Sequence, residues 1–174
     1  SDHYIRSNEL FKKNLENAEK IAKKDYIATI GLKIDGPNIN YGYLKKGKKE
    51  LLSGYHVVKF IEKPNILSAE EYAHDPNFLW NAGIFIFKNK LFKEELSIHA
   101  KNAYSVYNNI KKQLANNNKI EIEDYRHFEN TLIDYLLMEK TDKLVVIPSE
   151  IEWSDIGSFD ALYDVLPHDE NKNA

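Results

Sequence analysis

The run from Tyr26 to Leu32, "YIATIGL", is apolar or β-branched at nearly every position. Successive side chains of a strand point to opposite faces, so a strand without a polar face has to be covered on both. The run is short, and the breaker "DGP" at Asp35 to Pro37 follows it, which marks a buried strand. A strand of that kind belongs in a sheet with helices over its faces, the arrangement of an α/β domain.

The flanking sequence supplies the other elements. From Ser7, a candidate N-cap, Leu10, Phe11, Leu15, Ala18, Ile21 and Ala22 recur at helical spacing, and Lys23 and Lys24 suit the negative end of that helix. Beyond the breaker, Tyr41 to Lys45 and Tyr55 to Glu62 are expected as two strands joined by a lysine-rich turn that carries Gly47, where the sheet turns partly antiparallel. Ser68 and Glu71 have capping-box spacing for a short helix, and "LWNAGIFIF" (Leu79 to Phe87) is expected as another strand. Helices are expected from near Lys90 and near Ala103, the second running out in "NNNK". Asn130 or Thr131 is expected to cap "LIDYLLMEK", Lys143 to Pro148 to form a buried strand, and "SFDALYDVL" from Ser158 a last helix before a frayed tail.

At 174 residues, with 43% hydrophobic and 12% aromatic residues, the chain has the size and composition of one folded domain. The net charge of -3, from 24 basic and 27 acidic residues, offers no electrostatic footprint for nucleic acid. Cysteine is absent, so neither a disulfide framework nor a thiolate metal site is available. No apolar run approaches the roughly 18 residues of a membrane span. These features lead to the expectation of a cytoplasmic protein without membrane or nucleic-acid partners.

Several stretches exceed what folding alone asks for. In "FIEKPN", Glu62 and Lys63 project where a strand leaves the sheet, and in "LWNAGIF", Asn81 and Gly83 interrupt a strong strand. In "IEWSDIGSF", Asp155 precedes Gly157 at the opening of the last helix. Ligands of open α/β sheets bind at strand ends. Taken singly, each stretch also has an ordinary structural reading: a solvated turn, a bulge, a helix cap, and for Asp134 a complement to a helix dipole.

Taken in order, "SDH", "YGY", "FIEKP", "WNAGIFIF", "IDYLLMEK" and "WSDIGSFDAL" resemble the bacterial mannose-1-phosphate guanylyltransferases, or GDP-mannose pyrophosphorylases, from Ser1 to Leu166. The resemblance implies a Rossmann-like nucleotide-diphospho-sugar transferase fold, a mixed sheet flanked by helices and incomplete at the N-terminus. It implies one partial domain over 1–166, the sugar-phosphate half, with a frayed tail over 167–174. The implied reaction joins mannose 1-phosphate to GTP, giving GDP-mannose and pyrophosphate, with magnesium as the metal. Asp2 and Asp155 are implied as the metal-binding carboxylates. Lys63 is implied to contact the sugar's phosphate, Glu62 and Asn81 its hydroxyls, and Gly42 to let the backbone approach the sugar. Asp134 takes a supporting place near the site. No general base is needed, because the attacking phosphate is already ionised.

The family's opening strand and glycine-rich loop, roughly G-x-G-x-R followed by a lysine, have no counterpart here, nor has the guanine-recognising segment. Where the family writes "P-T-x-P-x-T-x-YGY", this chain has "IDGPNINYGY". The chain is therefore read as a piece of a longer enzyme, one product of a split gene or a decayed remnant, and as a poor catalyst alone. Strands such as "YIATIGL" are expected to expose an edge or face, leading to self-association or pairing with an N-terminal half. Alternatives are a non-catalytic sugar-phosphate-binding or regulatory module, and a nucleotidyltransferase for another sugar phosphate.

Overall fold

The computed structural model describes residues 3–49, 52–117, 119–171 and 173. Its elements follow the order β1 (Tyr4–Ile5), α1 (Asn8–Ala22), β2 (Ile27–Leu32), β3 (Tyr43–Lys49), β4 (Tyr55–Ile61), α2 (Ile66–His74), β5 (Phe78–Ile86), α3 (Asn89–His99), α4 (Lys101–Asn117), α5 (Ile122–Tyr125), a π-helical turn (Asp134–Met138), β6 (Leu144–Ser149), β7 (Trp153–Ser154) and α6 (Phe159–Val165). None of the described helices is long and apolar enough to cross a membrane.

Five strands pair in the order β2-β5-β3-β4-β6, and β6 returns to β2, closing the ring. The β2/β6 ladder is parallel and the others antiparallel, so the sheet is mixed, as expected. All six residues of β2 are buried. One of its edges bonds to β5 and the other to β6, so β2 itself exposes neither edge nor face, contrary to the expectation above. The less complete strand is β5, whose register with β3 runs from Phe78 to Trp80, while its register with β2 continues to Ile86. Beyond the Asn81 N–H, which donates to the Gly42 carbonyl, the β3-side edge of β5 has no ladder partner among the described residues.

Helices cover the sheet as β2 requires. Ala18 and Ile21 of α1 pack on Ala28, Val145 and Ile147. The polar intruder on that helix face, Asn14, is satisfied by the Ser149 hydroxyl of β6. A second cluster joins α3, α4 and the π-helical turn to the sheet through Leu91, Leu96, Ala103, Leu137 and Met138. A third sets Ala69 and Tyr72 of α2 against Tyr43, Phe78 and Trp80.

Local sequence explains several boundaries and corrects others. Ser7 does precede α1, but its side chain makes no cap bond. Gly47 lies within β3 rather than in the turn. The second helix starts before Ser68: Asn65 is its N-cap and accepts from the Ser68 N–H at 2.9 Å. "LIDYLLMEK" winds as a π-helical turn with Ile133 before it, so neither Asn130 nor Thr131 caps it. The last helix opens at Ser158 as expected, and Ser158 rather than Asp155 is its cap, accepting from Ala161 N–H at 3.1 Å.

Gly31 of β2 is required by space. A Cβ there would lie 2.5 Å from Val146 Cγ2 and 2.8 Å from Leu79 Cδ1, between two packed strands. Overpacking of that kind costs about 1–3 kcal/mol, so Gly31→Ala should lower unfolding free energy by that amount in urea denaturation.

Candidate active site

Gly42, Glu62 and Asn81 meet where β3, β4 and β5 come together. Gly42 carries no side chain for a steric reason, since a Cβ would overlap Glu62 Oε2 and stand 2.9 Å from the Phe60 ring and 3.3 Å from Asn81 Cβ. The Asn81 N–H donates to the Gly42 carbonyl at 2.7 Å, which ties the two residues through the backbone. The buried Asn81 side chain is oriented by Thr29, whose hydroxyl donates to Asn81 Oδ1 at 3.1 Å, so the Asn81 amide nitrogen is the group left to donate elsewhere. Thr29 is fully buried in β2, at the irregularity in the β2/β5 ladder.

Glu62 follows the last residue of β4, and Lys63 follows it with a φ of 49°, left-handed in a residue that has a Cβ. Above this turn stands the π-helical turn, and insertions of that type recur at functional sites. Glu139, its C-cap, accepts from the Glu62 N–H at 2.9 Å, and the Tyr135 hydroxyl donates to the Glu62 carbonyl at 3.3 Å. Burial, with the Asp134 and Glu139 carboxylates adding to it, lifts the Glu62 carboxyl from an ordinary 4.5 to about 7, although Lys63 opposes the shift. Burial also raises Asp134, helped by Glu139 and opposed by its own backbone and by Lys63. A carboxyl group that resists ionising, as Glu62 does, can donate as well as accept, which suits a site for hydroxyl groups.

The expected residues Gly42, Glu62, Lys63, Asn81 and Asp134 are thus neighbours. Asp155 is linked to them through Tyr41, whose hydroxyl lies 3.5 Å from Asp155 Oδ1 and whose ring packs edge-on against Trp80 and Trp153. Burial, then the Asp155 charge, raises the Tyr41 hydroxyl above its usual range. Asp155 follows β7, which pairs with β1 through Tyr4↔Ser154 and Ile5↔Trp153 and so sets the first described residues beside the Asp155 segment. Asp2 lies outside the described residues. Next to Asp155, Ile156 adopts a φ of 41°, strained for a β-branched side chain.

A cleft of about 870 Å³ opens beside Tyr41, Trp80 and Trp153. It borders the Asp155 segment, but Gly42, Glu62 and Asn81 are not among its walls. The chemistry favours the Glu62 cluster over the larger cavity, because perturbed carboxyls, a strained lysine and a close backbone approach coincide there. Thr29, Tyr135 and Glu139 were not singled out from sequence. Tyr135 and Glu139 lie inside the "IDYLLMEK" motif, whereas Thr29 has the pattern of any core residue.

A family model described as Nucleotidyl transferase matches residues 1–172. "Mannose-1-phosphate guanylyltransferase 2" of Escherichia coli O157:H7 is 35% identical over 179 residues, covering 95% of this chain and 36% of the relative. A crystal structure from Thermus thermophilus, named mannose-1-phosphate geranyltransferase, matches with a TM-score of 0.83 and 28% identity, over 97% of this chain and 48% of that one. Another from Helicobacter pylori, named mannose-6-phosphate isomerase, matches with a TM-score of 0.79 and 27% identity, over 89% of this chain and 61% of that one. The chain spans little more than a third of the length of the curated relatives it matches.

The raised Glu62 carboxyl has a thermodynamic signature. Between about 4.5 and 7 the folded chain holds a proton that the unfolded chain has lost, so stability falls as pH rises across this window. Asp134 adds to the same slope from the lower end. Glu62→Gln should flatten the slope in urea denaturations taken at stepped pH; an unchanged slope would show that Glu62 ionises in the fold as it does in the unfolded chain.

Proposed function

The chain belongs to the nucleotidyl transferase family, and from that premise we propose that it is the sugar-phosphate half, over residues 1–166, of a mannose-1-phosphate guanylyltransferase. The observation that carries the reading is the convergence of Gly42, Glu62 and Asn81 with Lys63 at the adjoining strand end. The named relatives supply the substrate class. The names differ in the reaction but share a mannose phosphate.

In this reading mannose 1-phosphate lies beside Gly42, whose missing side chain leaves room for the Glu62 carboxylate to stand at the sugar's wall. Glu62 and the Asn81 amide bond its hydroxyls, Asp134 backs Glu62, and the compact Lys63 ammonium meets its phosphate. An oxygen of that phosphate forms the new bond to the α-phosphorus of GTP as the bond to the bridging oxygen breaks and pyrophosphate leaves. The nucleophile is already anionic, so the protein positions the two polyanions and offsets their charge.

Magnesium suits the Asp155 carboxylate, with Asp2 as the second ligand that the family resemblance implies. The Asp155 carboxylate is partly exposed and meets Tyr41 at a long 3.5 Å, which leaves acceptor capacity unused. Among the described residues no group of three or more His, Cys, Asp or Glu could hold a metal. That suits an ion held by one or two carboxylates together with substrate phosphates rather than a closed protein cage. When bound, magnesium would neutralise charge developing on the phosphates. Asp155, buttressed by Tyr41 and by the Ser154 hydroxyl that accepts from Ile156 N–H at 3.2 Å, would hold it in place.

The partner contribution in this reading is the triphosphate-cradling half, docked against the part of β5 that lacks a ladder partner. Unpaired strand edges also recruit copies of the same chain. Sedimentation of the isolated chain should therefore show self-association that grows with concentration; a single monomeric species would remove this part of the proposal.

Isothermal titration with mannose 1-phosphate and with GTP, each with magnesium, tests the rest. Mannose 1-phosphate should bind, GTP should not bind without its cradle, and Lys63→Ala should weaken the sugar phosphate by about tenfold or more, the loss of a charge-assisted contact. Binding of neither ligand would overturn the assignment for this chain.

A further inference from the structure

Glu62 is the first residue beyond the β3/β4 ladder, which runs to the pair Tyr43↔Ile61. Its backbone groups need other partners, because the strand that ordered the preceding residues has ended. Both partners come from one short element far away in sequence. Glu139 takes the N–H across 77 residues, and Tyr135 supplies a hydroxyl to the carbonyl across 73.

The residue that follows is doubly constrained. Lys63 is left-handed at a φ of 49°, and Pro64 restricts the residue before it. Strained backbone of this kind persists where its surroundings over-determine it. Holding both ends of the preceding residue does so.

We propose that Glu139 is a positioning residue, which together with Tyr135 clamps Glu62 by its N–H and carbonyl and thereby sets the direction in which Lys63 leaves the sheet. The consequence for ligand binding rests on the reading that Lys63 meets a sugar phosphate. The clamp itself does not.

The chemistry of the position separates this role from a purely electrostatic one. Glu139 stands near Glu62 and Asp134, so its negative charge opposes an incoming phosphate. Removing the charge alone should help an anion bind. Removing the acceptor should free the turn and hurt binding. Glu139→Gln does the first and keeps a carbonyl acceptor, whereas Glu139→Ala does both.

The test compares these two variants and Tyr135→Phe with the unaltered 174-residue chain. Amide hydrogen exchange at Glu62, read by NMR without ligand, should be faster by about tenfold or more in Glu139→Ala and within about twofold of the unaltered chain in Glu139→Gln. Titration with mannose 1-phosphate should show affinity lowered by about tenfold in Glu139→Ala and unchanged or raised in Glu139→Gln. Tyr135→Phe removes one hydroxyl, tests the clamp from the carbonyl side, and should weaken binding to a lesser extent.

Unchanged exchange at Glu62 in Glu139→Ala would overturn the clamp whatever the ligand does. Tighter binding in both Glu139 variants would overturn positioning in favour of charge alone. Failure of the unaltered chain to bind mannose 1-phosphate would instead sink the sugar-phosphate reading, and exchange would still decide the clamp.

Discussion

Everything in this chain is referred to β2. Its six buried residues bond to β5 on one edge and β6 on the other, with α1 packed over one face. A strand so placed has little freedom to slip, since a one-residue shift would take Gly31 out of the narrow gap between Val146 and Leu79 and Thr29 away from Asn81. The site inherits that rigidity through one contact. Thr29, in the middle of β2, holds the amide of Asn81 in β5, and the Asn81 backbone holds Gly42 just ahead of β3.

Around this frame the site runs against what favours stability. Glu62 and Asp134 are carboxyls pushed toward the neutral form by burial and by acidic neighbours, and Lys63 and Ile156 are left-handed. Each feature is unfavourable by itself, and strained backbone and perturbed carboxyls of this kind concentrate at functional sites. The clamp from Tyr135 and Glu139 gives Glu62 and the adjoining Lys63 a common anchor. It makes the "IDYLLMEK" segment part of the site's support without requiring any of its side chains to touch a ligand.

Much of this was legible because it has a local cause. The unbroken apolar run of β2 could only be a doubly buried strand, the last helix opened at Ser158, and the interruptions at Asn81 and Gly83 fell where β5 carries a residue of the site and a left-handed glycine with a φ of 68°. The rest has tertiary causes. The two-residue strands β1 and β7 are too short for any periodicity, yet their pairing sets the first described residues beside the Asp155 segment. A π-helical turn has nearly the sequence pattern of an α-helical one. Thr29 looks like any β-branched core residue until Asn81 is seen across from it, and the expected open edge proved to belong to β5 because β6 closes β2. The family resemblance supplied the substrate class, which geometry by itself does not name.

In the proposed function, Gly42, Glu62, Lys63 and Asn81 form one wall that receives a sugar phosphate. A map of backbone amide shifts in the NMR spectrum, recorded as mannose 1-phosphate is added, tests this without an intermediate step. Perturbations should concentrate at these four residues and at the supporting Thr29 and Glu139. Shifts confined instead to the cleft beside Tyr4, Arg6 and Trp153, with the Glu62 wall silent, would rule the wall out as the sugar-phosphate site.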